Sequence, residues 1–259
     1  ALHPVHVESV AWITERKNVL SGVLYLASAL AFLRASQRLE AGQGAGRLWI
    51  ASIGCFVGAL LSKTVTCTLP VTLALVLRWK RHRIAPVRGM ALTLMLAVGL
   101  AMARMTAWCE TQVAGAQGPD WVFTLADRVL IAGRALWFYA AKLCWPASLT
   151  FIYPRWTSDA AAGWPGSFPI AAAGATAGLW LARRRVGAGP WVAVAAYAVT
   201  LSPALGFVDF YPMRFSFVAD HFQYLASMPL IALGVAAATR GIGRLGGPRA
   251  GGALGALAL

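Results

Sequence analysis

Apolar stretches recur along the whole chain, and basic residues cluster in the connections between them. The runs are Val19–Leu33, Leu48–Leu61, Val65–Leu77, Met90–Met102, Val129–Trp145, Phe168–Ala182, Trp191–Phe207 and Tyr224–Ala238. None alternates with the period of a strand, so the pattern predicts an all-α protein. Several runs fall short of the roughly 20 residues that a perpendicular membrane helix needs. Flanking residues must extend them, or the bilayer must thin.

Orientation follows from Lys and Arg. Arg34, Arg38 and Arg47 bracket one connection, and Arg78, Lys80, Arg81, Arg83 and Arg88 crowd the next. Arg183, Arg184 and Arg185 form a third cluster, and Arg240, Arg244 and Arg249 a fourth. Cytoplasmic connections carry such clusters. All four fall on one side only if the run Val129–Trp145 does not cross. That run carries Arg134 and Lys142, each costing ~3 kcal/mol at a helix centre, against about 0.5 kcal/mol returned by each large apolar residue. Leu125, Val129, Leu136 and Leu143 share one helical face and Arg134, Lys142 and Trp145 the other, which suits a helix lying in the interface with snorkelling cations. The expectation is a polytopic membrane protein of about seven transmembrane helices plus this interfacial helix.

Composition agrees. Apolar residues make up 59% of the 259 residues and charged residues only 12%, about half the charged share of an ordinary soluble domain. The net charge of +14 sits in connections between apolar runs. It reads as topology, with no nucleic-acid module to give it another meaning. Cys55, Cys67, Cys109 and Cys144 form no C-x-x-C pair and read as small apolar fillers rather than a disulfide framework or zinc site. The chain lacks an initiator Met and ends within a Gly/Ala/Leu-rich run, Gly246–Leu259, so it reads as a piece cut at both ends. No internal repeat and no tetratricopeptide unit is visible.

With that topology the carboxylates, Glu40 excepted, lie on the side opposite the arginine clusters, where four polar motifs gather. The first is His3-Pro4-Val5-His6-Val7-Glu8, followed by Trp12 and Glu15-Arg16-Lys17-Asn18. Pro4 suits a helix start, from which Glu8, Trp12 and Glu15 share a face. A carboxylate beside histidines can serve as a base or bind a metal. The plainer reading is a solvated helix start anchored by Trp12. The second is Ser62-Lys63-Thr64, a polar hairpin whose Lys63 either meets a phosphate or simply snorkels. The third is Phe151-Ile152-Tyr153-Pro154-Arg155-Trp156. Arg155 suits a sugar phosphate, with Tyr153 and Trp156 stacking on the sugar, although Tyr and Trp also populate membrane belts. The fourth, Tyr211 to Tyr224, sets Arg214, Asp220, His221 and Tyr224 at the mouth of the last run. An Asp–His pair can hold a proton near neutral pH, and local loop pairing is the alternative.

These stretches together resemble one family. LHPVHVESVAWITERKNVLSG, LSKTVTCTLP, AGRALWFYAAKL with LTFIYPRW, and YPMRFSFVADHFQYLAS are similar to the membrane part of bacterial relatives of the transmembrane and tetratricopeptide-repeat O-mannosyltransferases. The resemblance implies a partial GT-C-like architecture. Residues 1–240 would form a multi-span membrane domain lacking its N-terminal part, and 241–259 a cytoplasmic linker with the start of a further apolar segment. It implies a bacterial inner-membrane enzyme facing the periplasm or exterior, moving a sugar from a polyprenyl-phosphate donor to a protein hydroxyl. Glu8 and Asp220 would be catalytic. His3, His6, Lys63, Tyr153, Arg155, Trp156, Arg214, His221 and Tyr224 would bind substrate, with a divalent metal ion as a candidate cofactor held by the histidines. The alternative is a non-catalytic membrane anchor of a tetratricopeptide-repeat scaffold. A transporter fits less well, because the apolar runs hold almost no ionisable residues near their midpoints.

Overall fold

A computed structural model describes residues 2–82, 85–156 and 166–257, with side chains as far as residue 242. Arg83, Trp164 and the side chains of Arg244 and Arg249 lie outside the described residues. The described secondary structure is helical throughout, without a strand. After a 3₁₀ turn at Pro4–His6 come α1 (Val7–Ala11), a 3₁₀ turn at Ile13–Glu15, α2 (Arg16–Glu40), α3 (Gly46–Ser62), a 3₁₀ segment at Thr64–Thr68, α4 (Leu69–Trp79) and α5 (Pro86–Gln112). A 3₁₀ turn at Pro119–Trp121 leads to α6 (Leu125–Cys144), α7 (Ser167–Val186), α8 (Gly189–Leu201), further 3₁₀ turns at Ser202–Ala204, Tyr211–Arg214 and Asp220–Gln223, and α9 (Ser227–Leu257). Helix α9 runs on through the stretch read as a linker after residue 240.

Local chemistry sets the helix ends. Pro86 begins α5, where a missing N–H costs nothing. Thr124 and Asp127 form a reciprocal capping box on α6. Gly42 (φ 68°) and Gly187 (φ 88°) follow α2 and α7 in conformations that side chains resist. Two stretches, Ile13–Glu40 and Pro86–Gln112, are long and apolar enough to cross a membrane, and Gly46–Ser62, Thr64–Trp79 and Ser227–Ile242 are shorter apolar helices.

Three expectations need correction. Glu8, Trp12 and Glu15 do not share one helix: the chain turns extended at Trp12 (ψ 119°), whose ring packs edge-on to Phe151 at 4.9 Å. Val65–Leu77 is not one α-helix, because its first residues wind as 3₁₀ before Pro70 opens α4. Trp191–Phe207 does not continue as one helix either. Pro203 supplies no N–H, Gly206 adopts φ 87°, and α8 stops at Leu201.

The main core joins α2, α3, α4 and α5 around Phe32, Phe56, Leu60, Leu73, Leu77 and Met95. Helices α2 and α3 approach closely, because small residues face each other. Ser28 Oγ donates to the Ser52 carbonyl at 2.7 Å and Ser52 Oγ to the Ser28 carbonyl at 3.0 Å, the kind of pairing that joins helices without exposing a polar group.

The basic connections gather at one end of the bundle. Arg88 is 1% exposed and pairs with Glu40 at 2.8 Å, while His82 Nδ1 meets the same carboxylate at 2.8 Å. The start of α8 reaches this end too, since Gly189 packs against Trp79. At the opposite end, Ser227 at the start of α9 lies 2.9 Å from His6 Nε2, which leaves Arg240 ~20 Å further along the helix axis. Glu40, the one carboxylate expected among the arginines, neutralises Arg88 there.

Helix α6 lies along the motif end. Arg128, in its first turn, bonds the Gly206 carbonyl at 2.7 Å and Asp209 at 2.9 Å. Tyr139, near its far end, accepts the Ala219 N–H at 3.1 Å, and Lys142 lies 5.2 Å from the Tyr153 ring. Both ends of α6 therefore touch the motif segments. Midway along it, Gly133 admits the first turn of α7: a Cβ there would stand 2.6 Å from Pro169 N. Gly133→Ala should force α6 and α7 apart and cost about 1–3 kcal/mol, measured as a lower thermal midpoint in detergent.

Candidate functional site

Two elements open the site, the N-terminal 3₁₀ turn with α1 and the segment between α8 and α9. His3 Nδ1 caps the turn by accepting the Val5 N–H at 3.4 Å. His6 is 3% exposed; besides Ser227, its ring meets Tyr224 edge-on at 5.1 Å. His6 and Tyr224 thus fasten the N-terminal segment to α9, with His3 at 5.8 Å from His6. Burial, then nearby positive charge, lowers the His6 pKa to about 4.

Glu8 and His221 meet directly. Glu8 Oε1 lies 2.9 Å from His221 Nδ1, and Oε2 accepts the His221 backbone N–H at 3.2 Å. The neighbouring Asp220 turns the other way, accepting from Tyr153 Oη on both oxygens at 3.0 Å. Burial raises the Asp220 carboxyl above its ordinary range while the Tyr153 bond opposes it, and burial beside Asp220 pushes the Tyr153 hydroxyl up to about 12.

Lys63 completes a buried polar network with residues of the first motif. Its ammonium lies 3.2 Å from Glu15 Oε2 and also donates to Asn18 Oδ1. Asn18 Nδ2 reaches Glu15 Oε2 at 2.6 Å, Ser9 Oγ at 3.1 Å and the His221 carbonyl at 3.3 Å. Lys17 holds the other Glu15 oxygen at 3.1 Å. Burial pulls the Lys63 pKa below the lysine range, against the pull of Glu15.

Between this network and α5 opens a cavity of about 670 Å³. Lys17, Lys63, Glu15 and His221 line one side, and rings of Trp12, Phe151, Tyr211 and Phe222 supply much of the wall. One face of α5 closes it through Ala103, Thr106, Ala107 and Glu110, spaced i, i+3, i+4 and i+7. Since Nδ1 of His221 is engaged by Glu8, Nε2 is the nitrogen open to a ligand.

Of the residues assigned from sequence, Lys63 and His221 reach this cavity, and Glu8 stands behind His221. The others are placed elsewhere. Arg155 Nη1 lies 3.6 Å and Arg214 Nε 3.2 Å from the Asp120 carboxylate, and the Arg155 guanidinium sits 5.1 Å from the Phe217 ring. Trp156 covers Arg134 at 4.4 Å. Tyr153 and Asp220 bond each other beneath the surface. These residues brace the walls. Among the described residues no group of three or more His, Cys, Asp or Glu side chains could hold a metal ion, and His3, His6 and His221 point to separate partners. The cavity also recruits Glu15, Asn18's network, Thr106, Glu110 and Asp209, to which the sequence reading gave no role. The α5 stripe of small and polar residues was the one available signal for Thr106 and Glu110.

His6 yields a pH prediction. Its folded pKa lies below the ordinary 6.5, so the unfolded chain binds the extra proton between those values. Stability should be full above pH 6.5 and fall by up to about 3 kcal/mol as the pH drops toward 4. His6→Gln should show a shallower acid loss in thermal unfolding between pH 7 and 4.5. No family model, curated protein or solved structure matches this chain.

Proposed function

We propose that this chain is the membrane domain of a glycosyltransferase that moves a sugar from a polyprenyl-phosphate donor to a protein hydroxyl at the non-cytoplasmic face. In this reading α2, α3, the Thr64–Trp79 segment, α5, α7, α8 and α9 cross the bilayer, and α6 lies in the interface. The supporting observation is the cavity, which Lys63 and His221 line together with an apolar, aromatic-rich wall, at the end opposite the arginine clusters. Such a cavity suits a ligand with an apolar tail and a few convergent polar groups.

Lys63 and Lys17 face the donor phosphate. The acceptor oxygen bonds the anomeric carbon as the bond from that carbon to the phosphate oxygen breaks, and the electron pair leaves with the phosphate. His221 Nε2 takes the hydroxyl proton, and Glu8 orients the ring and stabilises its cationic form. Glu8 becomes a positioning residue, and Asp220 with Tyr153 holds the loop that carries His221.

The mutual pairing of Glu8, Asp220, Arg155 and Arg214 with residues of this same chain favours the second reading, a non-catalytic anchor of a repeat scaffold. Glycan transfer by the full-length protein in cells separates the two. His221→Ala and Lys63→Ala should each lower transfer by about 10²–10⁴-fold with membrane insertion unchanged, and Glu8→Gln should lower it less while shifting its pH profile. Undiminished transfer in the His221 and Lys63 variants would remove the roles given to these two residues, absence of transfer by the unaltered protein would remove the enzyme reading, and intact cellular function without any transfer would establish the anchor.

A further inference from the structure

The cavity is electrically lopsided. On one side Lys17 and Lys63 share the single carboxylate of Glu15. On the other, Asp209 and Glu110 both line the wall, with one guanidinium between them. Arg128 holds both oxygens of Asp209, at 2.9 and 3.1 Å. Glu110 meets no cation among the described residues; its carboxylate accepts the Tyr211 N–H at 2.9 Å and nothing else. The rings of Tyr211 and Phe215, 6.0 Å apart and edge-on, stand beside it in the wall.

An uncompensated carboxylate among aromatic rings attracts an organic cation, through Coulomb attraction and the negative ring faces. The spacing is defined by α5. Thr106 Oγ1 lies 2.8 Å from Thr64 Oγ1, next in the chain to Lys63, and Glu110 follows Thr106 about one helical turn on, ~6 Å along the axis. A ligand laid across the cavity thus meets Lys17 and Lys63 toward one end and, toward the other, a carboxylate with no cation partner among the described residues.

We infer that the sugar carried by the donor is an amino sugar, its phosphate facing Lys17 and Lys63 and its ammonium facing Glu110. This rests on the donor reading above and adds the charge of the sugar to it. Glu110 is then the residue that selects the sugar.

The full chain in detergent, titrated calorimetrically at pH 7 with glucosamine 1-phosphate, glucose 1-phosphate and N-acetylglucosamine 1-phosphate, tests it. Glucosamine 1-phosphate should bind at least about ten-fold more tightly than the other two, and Glu110→Gln should collapse that preference to less than about two-fold. The acetylated probe keeps the nitrogen and removes its charge, so the comparison holds in the unaltered protein even if the variant fails to fold. Equal affinity for all three probes would overturn the amino-sugar assignment and leave the transferase reading standing. Binding of none would remove both.

Discussion

The Glu15–Lys63 pair is the contact on which the motif end depends. Removing two charges from water costs several kcal/mol per ion, and mutual attraction offsets this only when the remaining hydrogen-bonding capacity is met. Asn18 meets it, donating to Glu15 and accepting from Lys63, while Lys17 occupies the other carboxylate oxygen. The network draws four segments to one point: α1 through Ser9, the start of α2, the break between α3 and α4, and the loop before α9 through the His221 carbonyl. Asn18 and Glu8 thus hold the same loop, one at the His221 carbonyl and the other at its ring. The extended residue at Trp12 follows from the same demand, since one continuous helix could not bring both Glu8 and Glu15 to their partners.

Helix α6 supplies the second constraint. Its cations find partners along the motif end, Arg128 at Asp209, Arg134 under Trp156 and Lys142 beside Tyr153. Its glycine lets α7 start against its middle, and Tyr139 fixes the Ala219 amide. Asp120 then gathers Arg155 and Arg214 from two separate segments, bracing the region around Trp121 and Phe217. The cavity lies among the polar break at Lys63, the end of α5, Phe151–Ile152 and the segment between α8 and α9. Of the cations assigned from sequence, Arg155 and Arg214 pair with Asp120 and Lys63 with Glu15. Arg155 and Arg214 hold walls, and the lysines near Glu15 face the space.

Much of the fold was legible from the chain. Apolar runs locate helices because a helix that buries or faces lipid must be apolar over several turns. Three of the four arginine clusters fall at or beside helix ends, and α6 touches the motif segments near both of its ends. Helix ends were less legible. Pro203 and Gly206 end α8 early, and the Thr64–Thr68 turn departs from α-geometry inside a run that reads as continuous hydrophobicity.

The site divides along the same line. The chain's own composition and periodicity determined that the protein is helical and apolar, that most carboxylates stand apart from the arginine clusters, and that polar motifs at Glu8, Lys63 and His221 interrupt the apolar runs, because those properties are local or depend only on order along the chain. Which carboxylate meets which cation was decided by the tertiary structure alone. Glu8 and His221 are 213 positions apart, and Glu110 reaches Tyr211 across 101. No spacing rule links such residues: their pairing depends on how the helices pack and on which charges must be neutralised once water is excluded.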